Sequence, residues 1–162
     1  MHDGRSSLAV LIYSIFWARY FRENGVHIVG SNQAFYGGML ARIMTILGEI
    51  AAEQEIYSID ESFLDVSGIA AYMPLEESGH QMRDRIIKET GLTIGVGFDP
   101  FRTLAKLANF AAKKWRVTNG IVDLWSPARQ RKLLALVDID NLWGTGGRLS
   151  KRLHTTEIIT SA

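Results

Sequence analysis

Apolar positions change their spacing several times along the chain, and each change marks an element. Between Tyr36 and Ala51, the residues Tyr36, Met39, Leu40, Ile43, Leu47 and Ile50 recur at helical spacing, which predicts a helix. Glu55–Ile59 and Ser62–Val66 read as two short strands, as does the β-prone run Val26-His27-Ile28-Val29. Only Asp60-Glu61 separates the pair at 55–66, so those carboxylates are expected at a hairpin tip. Helices are predicted over Gln81–Glu89, over Phe101–Lys114 after Pro100, and over Ala128–Leu136 behind Pro127. Strands are predicted over Leu92–Val96, ending in Gly97, and over Ile121–Leu124. This order suggests an α+β fold, a mixed sheet with helices on one face. The apolar run Leu8–Ala18 is well short of the ~20 residues a membrane span needs and reads as a buried helix or strand.

Composition narrows the classes. The 162 residues suit one compact domain with the start of a second. With no cysteine, a disulfide scaffold and a thiolate metal site are excluded. The net charge of +1 hides an asymmetry: residues 1–101 carry 7 Lys/Arg against 13 Asp/Glu, whereas 102–152 carry 11 against 3. A basic C-terminal part reads either as a polyanion-binding surface or as a solvated basic surface.

Three segments carry candidate chemistry. In Tyr57-Ser58-Ile59-Asp60-Glu61-Ser62, a turn lets Asp60 and Glu61 converge on one cation, although neighbours on a regular strand point apart. Mg²⁺ takes oxygen ligands and commonly uses one or two protein carboxylates plus substrate phosphates. Taken alone, such a pair is more often a polar turn than a metal site. In the helix Phe101–Lys114, Leu104, Leu107, Ala108 and Ala111 share one face, and Arg102, Lys106, Asn109 and Lys113 share the other. Arg102 and Lys106 near the helix start suit a triphosphate, or simply solvent. The third segment, Leu142-Trp143-Gly144-Thr145-Gly146-Gly147-Arg148-Leu149-Ser150-Lys151-Arg152-Leu153, pairs a Gly-x-Gly turn with a basic amphipathic stretch. That pattern suits a helix-hairpin-helix on a DNA backbone, or an ordinary helix end before a surface helix.

Together these segments resemble the Y-family translesion DNA polymerases, in their UmuC-type, polymerase V branch. YSIDESFLD resembles the family's palm motif, GVGFDPFRTLAKLANFAAKKW the strand and helix that follow, and DIDNLWGTGGRLSKRL its helix-hairpin-helix. YFRENGVHIVGSNQAFYGGM resembles the lead-in of that branch, so the likeness runs from about Trp17 to Leu153. It implies that Asp60 and Glu61 are catalytic, Mg²⁺-binding residues and that Lys106, with Arg102, contacts a nucleotide triphosphate. It further implies DNA-backbone contacts at Gly144, Gly146, Arg148 and Lys151. The implied partners are primer-template DNA, a deoxynucleoside triphosphate and accessory SOS mutagenesis subunits, in the cytoplasm. The implied organisation is a divergent segment at 1–16, part of a palm at 17–126 and the start of a thumb at 127–162. Nothing matches the family's first metal-binding Asp or its fingers, and Asp3 stands in no strand context. The expectation is therefore a truncated, inactive fragment, with a non-catalytic DNA-binding remnant as the alternative; a nucleotide cyclase fits the glycine turn less well.

Overall fold

The computed structural model describes residues 19–27, 30 and 32–160. The chain divides into two compact units, residues 1–36 and 37–162. In the first, residues 19–23 are helical, and Arg19 pairs with Glu23 one turn on at 2.8 Å. The expectations for residues 1–16 and for Leu8–Ala18 lie outside the described residues. So do Ile28 and Val29 of the strand expected at 26–29, while Val26 and His27 are irregular.

Helix α1 spans Gln33–Ile50 and buries Ile43, Met44, Ile46 and Leu47. Strands β1 (Glu53–Ile56) and β2 (Ser62–Asp65) pair antiparallel, with Gln54 opposite Leu64 and Ile56 opposite Ser62. β1 begins two positions before the predicted strand and stops three positions short of Ile59. The amides of Tyr57 and Ser58 explain the early stop, because both donate to the carbonyl of Glu61, at 3.0 and 3.1 Å, and so close the tip. A short helix, α2 (Ser67–Ala70), follows, and then α3 (Leu75–Thr90). α3 starts well before Gln81, behind Pro74, where Glu76 and Glu77 favour the positive end of the helix dipole.

Strand β3 (Val96–Phe98) pairs parallel with β4 (Ile121–Asp123), Val96 opposite Ile121. Helix α4 (Arg102–Lys114) and a 3-10 turn at Arg116–Thr118 make the crossover. The strand expected over Leu92–Val96 forms only from Val96, where its amide meets the Gly120 carbonyl at 2.9 Å, because the partner strand is so short. Helix α5 (Pro127–Leu136), a 3-10 turn at Ile139–Asn141 and helix α6 (Gly147–Thr155) complete the order.

The α+β reading holds, but among the described residues the strands form two separate two-stranded sheets, β1-β2 antiparallel and β3-β4 parallel, rather than one mixed sheet, because no strand of one pair bonds to the other. The layers follow from side-chain alternation. On one side, α1 and α3 share a core of Ile43, Met44, Ile46, Leu47 and Ile86, with Leu64 and Ile94 against it. Phe98 and Ile121 face α3, where each lies within 3.1 Å of the place a Cβ on Gly79 would take. Gly97 faces the opposite way and meets α4, so helices cover both faces of the parallel pair rather than one. There Leu107, Ala108 and Ala111 of α4 pack with Leu124, Leu133 and Val137. The helix comes so close that a Cβ on Gly97 would lie 2.3 Å from the Asn109 nitrogen and 2.5 Å from the Ala105 carbonyl oxygen.

Backbone on backbone leaves no side chain to give way. Gly97→Ala should therefore cost about 1–3 kcal/mol, as core overpacking does. Urea unfolding measures it, and an unchanged midpoint would mean that α4 is not seated on β3.

Candidate functional site

The closed tip fixes the two carboxylates that the sequence singled out. Ser58 Oγ donates to Asp60 Oδ1 at 2.8 Å and holds that exposed side chain over the turn. Glu61 turns toward α4, where its Oε2 accepts from Lys106 Nζ at 3.0 Å. One helical turn earlier, the Arg102 guanidinium grips Glu55 with two nitrogens. Asn109 Nδ2 donates to the Gly95 carbonyl at 2.6 Å. All four polar positions of the predicted stripe, Arg102, Lys106, Asn109 and Lys113, line one cleft of about 790 Å³ that also takes in Asp60 and Glu61. Within the stripe, Arg102 and Lys106 thus meet carboxylates of the hairpin, while Arg102 and Lys113 stay exposed.

Aromatic rings complete the surroundings of Lys106. Its ammonium lies 4.4 Å from the centroid of Tyr57 and 4.7 Å from that of Trp143, over both rings. Tyr57 and Trp143 meet edge to face at 5.5 Å, and Phe63 lies 5.9 Å from Tyr57 and 6.3 Å from Trp143. Arg102 sits over Phe63 at 5.3 Å. A cation on a ring face is worth roughly 0.5–2 kcal/mol, more where water is excluded. The Lys106 side chain is 20% exposed, so its contacts count for more than those of a free surface lysine.

Asp60 and Glu61 supply two carboxylates of the kind a divalent ion takes, and each has a partner within the protein: Ser58 for Asp60 and Lys106 for Glu61. Asp65, at the end of the same motif, is committed elsewhere. Its Oδ1 accepts from the Ser67 amide at 2.9 Å, and Ser67 holds its carboxyl below the usual 3.8. Asp99 is similarly occupied, accepting from the Phe101 amide at 2.8 Å and from Gln130 Nε2 at 2.9 Å.

At the glycine turn, Gly144 takes a left-handed φ of 95°, which only glycine adopts without strain, and Gly146 caps α6. The helix before the turn is a single 3-10 turn, so the helix-hairpin-helix has one short arm. The first amides of α6 head the helix without intrahelical acceptors and offer donors to an anion. Arg148, Lys151 and Arg152 are exposed along one face, while Ser150 is buried against the turn. Sequence reasoning missed Glu55, Tyr57 and Trp143 as site residues. For Tyr57 and Trp143 the only signal was an aromatic beside each motif; Glu55 carried none.

A family model described as the impB/mucB/samB family matches residues 13–109. Protein UmuC of Salmonella typhimurium is 47% identical over 142 residues, which are 87% of this chain and 34% of that protein. Protein SamB of Salmonella typhimurium is 44% identical over 133 residues, 81% of this chain and 31% of that protein. The chain thus spans about a third of the length of these relatives. Among solved structures, the insertion ternary complex of Dbh DNA polymerase superposes with a TM-score of 0.70 at 28% identity, covering 83% of this chain and 38% of that one. Among the described residues, no helix is long and apolar enough to cross a membrane.

Beside the glycine turn, Asp138, Asp140 and His154 bring ligand atoms within 4.8 Å of one another. Internal bonds account for them: Asp138 Oδ1 caps the 3-10 turn through the Asp140 amide at 2.9 Å, and Asp140 Oδ1 binds Ser150 Oγ and, at 3.1 Å, His154 Nε2. The Ser150 hydroxyl, and then His154, hold the Asp140 carboxyl below the usual 3.8. A depressed carboxyl stabilises the fold above its unfolded value and loses that contribution as pH falls through the folded one. The contact of α6 with the 3-10 turn should therefore weaken progressively as pH falls through the acid range past 3.8. Ser150→Ala should raise the Asp140 value in a carbon-detected NMR titration, and an unmoved titration would dismiss the bond.

Proposed function

The chain belongs to the impB/mucB/samB family, the UmuC-like branch of the Y-family DNA polymerases, and from that premise we propose that its cleft is a nucleotidyl-transfer site of translesion DNA synthesis. The observation that carries this reading is the pairing of Lys106 with Glu61 across the cleft, a cation beside an acidic tip. In this reading residues 17–126 form part of a palm, and 127–162 begin a thumb whose first helix, α5, packs against α4 through Leu133.

The reaction joins a primer 3′-hydroxyl to the α-phosphorus of a deoxynucleoside triphosphate, and the bond to the β-phosphate breaks to release pyrophosphate. Asp60 and Glu61 would hold Mg²⁺, which when bound supplies charge stabilisation to the attacking and leaving oxygens. Lys106, freed from Glu61, would neutralise charge on the triphosphate, and Arg102 lies one turn away for a second phosphate contact. Gly144 and Gly146 let backbone amides approach a DNA phosphate, while Arg148 and Lys151 add charge without reading sequence.

A second reading, a DNA-binding module without catalysis, is favoured by one observation. The tip holds two carboxylates and no third acid within the described residues, while the cationic face of α6 is exposed.

The two readings separate experimentally. Binding of Mn²⁺, followed by electron paramagnetic resonance, should weaken at least about tenfold, or 1.4 kcal/mol, in the double variant Asp60→Ala, Glu61→Ala. Equal Mn²⁺ affinity in that variant would sink the polymerase reading. Lys106→Ala should weaken binding of Mg²⁺-dATP by about 10- to 100-fold, the loss of a charge-assisted bond. Duplex binding should survive Asp60→Ala, and Lys151→Ala should flatten its salt dependence by about one ion. An unchanged salt slope would remove Lys151 from the DNA surface.

A further inference from the structure

Trp143 links two parts of the chain that the sequence presents as separate motifs. It precedes Gly144 in the glycine turn, yet its ring covers the ammonium of Lys106 from α4 at 4.7 Å. Tyr57 covers the same ammonium at 4.4 Å from the foot of the hairpin tip, and Glu61 takes one N–H at 3.0 Å. Neither ring belongs to a buried core: Trp143 is 39% and Tyr57 46% exposed. What their faces cover is a charge. Phe63, in contact with both rings, braces the pair from β2.

We propose that Trp143 is a positioning residue for Lys106: with Tyr57 it clamps the ammonium beside Glu61, so that a DNA phosphate seated at Gly144–Gly146 shifts the clamp and changes where Lys106 reaches. The physical argument is continuity and charge. Trp143 and Gly144 are adjacent in the chain, so a shift of the turn's backbone shifts the base of the ring. A ring face attracts a cation only while it lies over it. Occupancy of the turn and placement of Lys106 therefore share one free energy, and each biases the other. The role assigned to Lys106 and the phosphate seat at Gly144–Gly146 rest on the polymerase reading; the contact of the two rings with Lys106 rests on their geometry.

Ring currents give a readout independent of catalysis. In the 162-residue chain the ε-methylene protons of Lys106 should resonate upfield of those of Lys151, because the ammonium bonded to that carbon lies over two ring faces. A blunt DNA duplex, added without metal, should move the Lys106 signals downfield. Trp143→Ala should remove part of the upfield shift and abolish the response to the duplex, while Trp143→Phe, which keeps a ring face, should restore both. Tyr57→Leu tests the other wall, and the methyl signals of Leu107 and Leu133 report that each variant is folded. If Lys106 shifts and responds to duplex in Trp143→Ala as in the native chain, the proposal is overturned. A separate titration with Mg²⁺-dATP isolates the underlying reading. Unmoved Lys106 signals there, alongside a Trp143-dependent duplex response, would leave the clamp standing and remove the nucleotide role.

Discussion

The ammonium of Lys106 is the point at which the second unit's functional parts meet. Helix α4 supplies the charge, the hairpin tip supplies Glu61 and Tyr57, and the glycine turn supplies Trp143. A lysine in water gains little from one exposed carboxylate. Here the carboxylate and two ring faces act together on a side chain that is largely withdrawn from solvent, so the three segments hold one another in place. The hairpin tip, with Ser58 bonded to Asp60, is thereby oriented toward the same cleft as the cationic stripe.

That convergence depends on how closely α4 lies on β3. The missing side chain at Gly97 lets the helix backbone settle against the strand, and Leu107, Ala108 and Ala111 then fill the space toward α5. The opposite face of the helix is left directed at the hairpin, where Arg102 and Lys106 find Glu55 and Glu61. A helix held farther out would leave those cations in water, and the acidic tip would be an ordinary polar turn. The same seating carries α5 and the chain that follows, including Trp143, because Leu133 and Val137 belong to the core beneath α4.

Much of this was legible in the residues. Helical spacing marked α1 and α4, Pro127 marked the start of α5, and the pair of acidic residues between β-prone runs marked the hairpin tip. Boundaries were less legible. β1 ends early because amides at 57 and 58 prefer the Glu61 carbonyl, a bond that no propensity encodes. α3 starts early because a proline and two glutamates favour a helix start that its apolar spacing does not show. β3 is short because its parallel partner is short, and strand pairing is a property of two segments at once. Helices on both faces of β3 and β4 followed from one glycine whose neighbour was unknown until the chain was folded.

The sequence by itself determined which side chains carry charge, which face of each helix is apolar, and that Asp60 and Glu61 share a turn. These are local properties, fixed by residue type and by the period of the backbone. Only the tertiary structure decided that Lys106 meets Glu61 rather than water, that Arg102 takes Glu55, and that Trp143 closes over the lysine. Such pairings join residues far apart in the chain. Spacing along a helix or strand cannot specify them, because they depend on how closely two backbones approach and on which groups burial leaves facing one another.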